Sequence, residues 1–145
     1  MRIPRTTEWV AGTRINSSTW PALHVTFPSG TTSEDELRET LARLRRFMQL
    51  ARGGPKFVLI IELPSGMRAP PRHRMIAADW QASIDDSEAA TLLCGVVVSR
   101  STIVRGFVTA VTWLYPPKVE LVTVDSLEEG FAQARARLER DGTRI

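Results

Sequence analysis

Two short apolar runs constrain the fold of this chain more than any other feature. Residues 57–61 read Phe-Val-Leu-Ile-Ile and residues 94–98 read Cys-Gly-Val-Val-Val, and turn residues or polar residues flank both runs. An uninterrupted apolar strand has to be covered on both faces, which is typical of central strands in a parallel sheet with helices packed on it. The two runs therefore predict an α/β fold.

Alternating residues near the start of the chain predict antiparallel strands. Leu23, Val25 and Phe27 alternate with polar residues, which is the period of a half-buried strand. We expect residues 7–15 to pair with it as the other strand of an N-terminal β-hairpin, with Gly12 as a β-bulge. A last strand is expected over residues 119–124. The predicted sheet is mixed and mostly parallel, with strands and helices alternating after the hairpin.

Capping signals mark the starts of the helices. Ser33 with Glu36, and Ser126 with Glu129, have the spacing of the capping box, in which side chains satisfy free backbone N–H groups. Prolines suit a first helical turn, because the missing N–H has no partner there in any case. The predicted helix starts are Ser33, Pro70–Pro71, Ser101 and Ser126.

Composition sets the class of protein. The 145 residues are 43% hydrophobic and 24% charged, which predicts one globular domain over residues 1–145. The first residues lack an apolar targeting run, and no apolar stretch reaches the roughly 20 residues that span a bilayer, so a cytoplasmic location without a membrane span is expected. Cys94 has no partner for a disulfide and is expected in the core.

Charge is distributed unevenly along the chain. Residues 1–75 carry 12 basic and 6 acidic side chains, and residues 76–145 carry 7 and 10. A basic region can attract an acidic partner, a nucleic acid or an anionic surface, or can simply be a solvated face. The arginines of the first predicted helix are not interleaved with aromatic residues, so nucleic-acid binding ranks last of these hypotheses.

The element order and the C-terminal third together resemble a known family. The order β-β-α-β-α-β-α-β-α is similar to the STAS domain of anti-sigma-factor antagonists, and especially to its divergent SpoIIAA-like relatives. The local match comprises the strand 95–100, a helix containing Arg105-Gly106, and a final helix that begins Leu127-Glu128-Glu129. The resemblance implies a STAS-like fold and a non-catalytic regulatory module that binds a protein in a bacterial signalling or assembly system.

The same resemblance directs attention to phosphorylation. Phospho-switched STAS domains carry an Asp-Ser-Ser-Gly-like acceptor at the helix after the third strand, whereas residues 68–71 here read Arg-Ala-Pro-Pro. Ser65 lies earlier, in the loop that leaves the strand. Phosphorylation of Ser65 is therefore kept as a hypothesis.

The helix predicted from Ser101 to Leu114 offers a candidate partner surface. Its apolar arc, which includes Ile103, Val104 and Val108, is expected to face the core, and the opposite stripe has one charge. Arginine and tryptophan are enriched in binding hot spots. The predicted partner-binding residues, for a protein or a second copy of the chain, are Thr102, Arg105, Thr109, Thr112 and Trp113. Cover by a neighbouring loop is the alternative.

A second candidate site is the passage from the strand 94–98 into this helix. Free N–H groups at a helix start can hold an anion, and nearby arginines could neutralise it. The predicted anion-binding or ligand-binding residues are Arg68, Arg72, Arg100 and Ser101. The alternative is that Ser101 only caps its helix.

No residue set predicts catalysis. His24 and His73 lack the spacing of metal ligands or of a nucleophile motif, and His73 is expected in a solvent-facing basic turn. Asp85 and Asp86 are explained as charges at a helix start. We therefore expect no enzyme, no metal and no cofactor. The alternative to a regulatory module is a carrier or sensor of a lipid or another small apolar or anionic ligand, held between helices and sheet.

Overall fold

The structure is a computed structural model that describes residues 3, 5–114 and 119–142, without the side chains of residues 107 and 110–114. Within this part of the chain, six strands form one sheet in which sequence neighbours are also spatial neighbours. The first three strands pair antiparallel, and the third to the sixth pair parallel. The predicted mixed, mostly parallel α/β sheet is confirmed. The strands are β1 Thr7–Val10, β2 Thr13–Asn16, β3 Ala22–Thr26, β4 Phe57–Glu62, β5 Leu92–Val98 and β6 Leu121–Val124.

Helices follow each strand from β3 onward, and they begin close to the predicted residues. The Ser33 hydroxyl accepts from the Glu36 amide at 3.1 Å, and the Glu36 carboxylate accepts from the Ser33 amide at 2.9 Å, which confirms this capping box. The Ser126 hydroxyl accepts from the Glu129 amide at 3.1 Å, which confirms Ser126 as the N-cap of the last helix but shows only this half of the predicted capping box. The described helices are α1 Glu34–Ala51, α2 Pro71–Ser83, α3 Asp86–Ala89, α4 Thr102–Leu114 and α5 Leu127–Arg140. None of them is long and apolar enough to cross a membrane.

Alternate side chains of β4 pack on opposite faces of the sheet. Phe57 and Leu59 join a core cluster with the apolar side chains of α1, whereas Val58 and Ile60 join a second cluster with Ala134 and Leu138 of α5. Helices α1, α2 and α4 contact one another in series, and α5 lies against β3 to β6. The sheet is therefore covered by α1, α2 and α4 on one face and by α5 on the other.

The prediction of one strand over residues 7–15 is wrong. These residues fold back on themselves as β1 and β2, and β2 pairs antiparallel with β3. Three antiparallel strands therefore begin the sheet, and the parallel pairs follow. The two-residue turn consists of Ala11 and Gly12 with φ of 49° and 83°, and Gly12 is not a bulge. Positive φ at both central residues is the geometry of a type I′ hairpin turn, which usually has Asn or Asp where this chain has Ala.

A buried ion pair fastens α3 to α1. Glu88 is 1% exposed, and its two carboxylate oxygens accept from Arg45 Nε at 2.7 Å and Arg45 Nη2 at 2.9 Å. Gln49 Nε2 and the Asp85 amide also donate to this carboxylate, at 3.3 and 3.1 Å. The hydrogen bond from Arg45 lowers the pKa of Glu88 below its ordinary value. One of the arginines counted toward nucleic-acid binding is thus used within the fold.

Candidate functional site

A cavity of about 220 Å³ lies between the sheet and the helices on its α1 face. Its floor is formed by β4 and β5, one wall by α1, and its roof by α2. Apolar side chains make up most of the lining, which includes Leu37, Leu41, Leu44, Met48, Leu59, Ile61, Ala77, Val97 and Val108. This partly open apolar space exceeds the water-sized voids of an ordinary packed interior, and it lies just below the range of about 300–1,000 Å³ that is common for small-molecule sites.

The sequence of α2 explains why space remains beneath it. In contrast to α1, α2 has a fully buried side chain only at Ala78, and its main contacts are with α1 and α4, so the gap between α2 and the sheet is not filled. Gly95 of β5 lines the cavity and is covered by Leu121 of the neighbouring strand. A methyl group at position 95 would lie 2.6 Å from Leu121 Cδ2, so the Leu121 side chain occupies the space that a side chain at this position would need.

Two residues that line the cavity have a side-chain nitrogen that is buried without a hydrogen-bond partner among the described residues. These nitrogens are Trp80 Nε1 and His73 Nδ1. A buried donor or acceptor left unpaired costs about 1–3 kcal/mol, and such atoms are rare in folded proteins. Neither nitrogen is exposed on the cavity surface, because each is covered by neighbouring atoms.

His73 is held by a hydrogen bond from one of its ring nitrogens. His73 Nε2 lies 2.5 Å from the backbone oxygen of Thr32. Because a carbonyl oxygen only accepts, Nε2 carries a proton and donates to it. The expected solvent-facing position of His73 is therefore wrong: the ring is half-buried and connects α2 to the loop before α1.

Paired loops close one end of the cavity. The loop after β3 and the loop after β4 meet in a short bridge, where the Gly30 amide donates to Gly66 O and the Arg68 amide donates to Gly30 O, both at 2.8 Å. Arg72 Nε contacts Glu34 Oε2 at 3.0 Å and ties the start of α2 to the start of α1. This contact lowers the pKa of the Glu34 carboxyl.

Three of the four predicted anion-binding residues, Arg72, Ser101 and Arg100, form hydrogen bonds or an ion pair within the protein. Arg72 is paired with Glu34, and the Ser101 hydroxyl accepts from the Val104 amide at 3.2 Å, so Ser101 does cap α4. Arg100 is exposed, and its Nε donates to the backbone oxygen of Asp125 at 3.3 Å. Arg68 is exposed at the edge of the cavity. Ser65, the phosphorylation candidate, is exposed in the turn after β4.

Two of the predicted partner-binding residues on α4, Arg105 and Thr109, form contacts within the protein. Arg105 is half-buried, donates from Nε to Ser99 O at 2.9 Å and forms an ion pair with Asp125, so it holds α4 against the loop before α5. Thr109 donates to Arg105 O at 3.0 Å, and Thr102 is exposed. The side chains of Thr112 and Trp113 lie outside the described residues. Ile103, which was placed on the core-facing arc, is 84% exposed.

A polar cluster of His24, Glu62 and Thr26 lies on the α5 face of the sheet. The buried His24 has Nε2 at 2.9 Å from Glu62 Oε1 and 3.3 Å from Thr26 Oγ1. Both partners meet the same ring nitrogen, so this ring does not relay a proton between a hydroxyl and a carboxylate as a catalytic triad does. In the described part of the chain, no group of three or more His, Cys, Asp or Glu side chains is placed to hold a metal ion.

Cys94 lies in the core as expected. The residue is 2% exposed, and burial raises the pKa of its thiol. A protonated, enclosed thiol is a poor nucleophile.

Known proteins offer no direct guide to this site. No protein-family model, curated protein or solved structure matches the chain. Function has to be inferred from the described residues themselves.

Proposed function

We propose that this protein is a non-catalytic binding protein that holds a small, mainly apolar ligand in the cavity beneath α2. The observation that carries the proposal is the apolar, partly open cavity of about 220 Å³ between the sheet and α2. A dry apolar cavity of about 150 Å³ can hold benzene. The space here suits a molecule the size of two fused rings.

The affinity of such a ligand can be bounded. Burying about ten carbon atoms at roughly 0.8 kcal/mol each gives at most about 8 kcal/mol, which corresponds to a dissociation constant near 1 μM. Immobilising the ligand consumes part of this free energy. Dissociation constants between about 1 μM and 1 mM are therefore expected for simple apolar probes.

A pair of alanine variants on α2 tests the proposal. Ala77 lines the cavity, whereas Ala82 lies on the exposed side of the same helix. Ala77→Leu places three further carbons in the cavity and should weaken naphthalene binding at least about tenfold, because a well-packed site has no room for both. Ala82→Leu should leave binding unchanged. Calorimetric titration that finds no naphthalene binding, or equal binding by both variants, would refute the proposal.

A regulatory protein-interaction module is the second candidate function. The observation that favours it is Ile103 on the first turn of α4, which is 84% exposed, because burial of this side chain against a partner or a second copy of the chain would remove apolar surface from water. We propose self-association through this turn as its simplest form. Sedimentation equilibrium should show a concentration-dependent dimer that Ile103→Lys abolishes and that the neighbouring Thr102→Lys weakens less. A monomer at all concentrations would exclude this form.

The assignment of the fold to a particular family is also a proposal. We infer a STAS-like, SpoIIAA-like domain from the resemblance in element order, supported by the antiparallel start and the parallel strand-helix units after it. A cytoplasmic bacterial protein would follow from that assignment. Phosphorylation of Ser65 belongs to the same proposal and predicts one added phosphate by intact mass after incubation with host lysate and ATP. Ser65→Ala should remain unmodified.

A further inference from the structure

We infer that the ligand of the cavity is an anionic amphiphile, with an apolar body that enters the cavity and a carboxylate that stays at its opening beside Arg68. This inference rests on the proposed ligand-binding function and specifies the class of ligand. It follows from the position of Arg68 at the cavity, from its unpaired charge, and from the apolar lining behind it.

Arg68 lies where the cavity meets the solvent. Among the described residues that line the cavity, Arg68 is the only exposed one and the only one with a permanent charge. Its backbone is held in place, because the Arg68 amide donates to Gly30 O at 2.8 Å in the bridge between the two loops. The long side chain beyond this anchor is free to turn toward a group at the opening of the cavity.

The charge of Arg68 is not used within the described part of the chain. Its guanidinium forms no ion pair and no hydrogen bond there, in contrast to Arg72, whose Nε lies 3.0 Å from Glu34 Oε2. Arg38 Nη2 also lies 3.6 Å from Glu34 Oε1, so two arginines already neutralise this carboxylate. The half-buried Arg74 adds a further positive charge near the start of α2. The segment from Arg68 to Arg74 therefore carries more positive charge than its contacts neutralise, which favours an anion at the opening.

The lining behind Arg68 determines which part of the ligand enters. Side chains such as Leu37, Leu59 and Val97 cannot hydrogen-bond, so an ionised carboxylate among them would lose its hydration without compensation. An apolar body instead gains free energy by leaving water. At the opening, a carboxylate stays hydrated and can pair with the planar guanidinium of Arg68 through both oxygens. The ligand therefore binds with its apolar end inward and its anion outward.

Three probes separate the charge of the ligand from its other properties. 2-Naphthoate and 2-naphthamide have the same rings and nearly the same shape, but only naphthoate is charged, and naphthalene lacks the substituent. Calorimetric titration at low ionic strength should give naphthoate a dissociation constant about two- to fivefold below that of naphthamide, as expected of an ion pair in contact with water. This advantage should decrease as salt is raised from about 20 to about 500 mM, because salt screens exposed charges.

Arg68→Gln and Arg46→Gln form a matched pair of variants. Both arginines are exposed, but Arg46 lies on α1 and is not among the described residues that line the cavity. Arg68→Gln should remove the advantage of naphthoate over naphthamide and leave naphthalene binding unchanged, because it removes the charge at the opening. Arg46→Gln should keep the advantage. Ala77→Leu, which occupies the cavity, should weaken the binding of all three probes.

The outcomes distinguish this inference from the function on which it rests. If naphthalene binds but naphthoate has no advantage over naphthamide, the inference is overturned while the proposed function stands. The same holds if Arg68→Gln keeps the advantage, if Arg46→Gln loses it equally, or if Ala77→Leu leaves naphthoate binding unchanged, because the anion then binds elsewhere. If none of the probes binds, both are overturned. An advantage that only Arg68→Gln removes, together with weaker naphthoate binding by Ala77→Leu, supports the anionic amphiphile.

Discussion

Removal of Arg45 should destabilise the protein far more than removal of the neighbouring Arg46. Arg45→Ala deletes both hydrogen bonds to the buried Glu88 carboxylate and the bonds to Ser83, whereas Arg46 is exposed on the same helix. Breaking a buried ion pair by removing one partner costs about 3–5 kcal/mol. The Arg45 side chain is 33% exposed, so water screens part of the interaction. We therefore expect a loss at the lower end, about 3 kcal/mol.

Urea unfolding followed by circular dichroism measures the difference in the free energy of unfolding. In thermal unfolding of a chain of this length, a loss of about 3 kcal/mol corresponds to a fall in Tm of roughly 6–12 °C. Arg46→Ala should change the free energy of unfolding by about 0.5 kcal/mol or less. Losses of similar size in the two variants would refute the role given to the Arg45–Glu88 pair.

The same pair predicts a pH dependence whose sign is fixed by the pKa of Glu88. Because the hydrogen bond from Arg45 lowers this pKa in the folded state, the stabilisation is present above the unfolded carboxyl pKa and is lost as pH falls through the lowered folded value. The stability difference between the original chain and Arg45→Ala should therefore shrink between about pH 5 and pH 3. A difference that stays constant over this range would contradict the mechanism.

Four further substitutions test other parts of the structure by urea unfolding. Gly130→Ala places a methyl group 2.9 Å from Val98 Cγ2 and should lower the free energy of unfolding by about 1–3 kcal/mol. Gly106→Ala meets nothing within 4 Å and should raise it by about 0.5–1 kcal/mol. Equal effects of the two variants would contradict the close approach of α5 to the sheet. Ser33→Ala removes the α1 cap and should cost about 1 kcal/mol, and an unchanged midpoint would argue against that cap. Ala77→Leu should stabilise the protein by about 1–2 kcal/mol if it fills the cavity, and destabilisation would show that the cavity is smaller than described.

The sequence predicted most of the elements because their signals are local. The capping box of Ser33 and the apolar run of β4 are each contained in six residues or fewer, and both appear where they were expected. The turn at Ala11–Gly12 was not predicted, because Ala11 carries no local turn signal. Only the pairing of β1 with β2 forces Ala11 to positive φ.

The candidate site could be predicted only in fragments. Ile76, Trp80 and Ile84 follow one another at four-residue spacing, which indicates a shared helix face, but the cavity depends on how far α2 stands from β4 and β5, which no local pattern encodes. The half-buried position of His73 depends on a hydrogen bond from Nε2 to Thr32 O, 41 residues away in sequence. Arg105 was read as free because its partner Asp125 belongs to a later loop.

The placement of α5 has a consequence for the growing chain during synthesis. In the described part of the molecule, α5 is the helix that covers the face formed by Val58, Ile60 and Val96, and it follows all six strands in the chain. A ribosome that adds about five to twenty residues per second synthesises the strands before the helix that covers them. Until α5 packs, any of these strands that have paired present an apolar surface, which is the kind of surface from which aggregation begins.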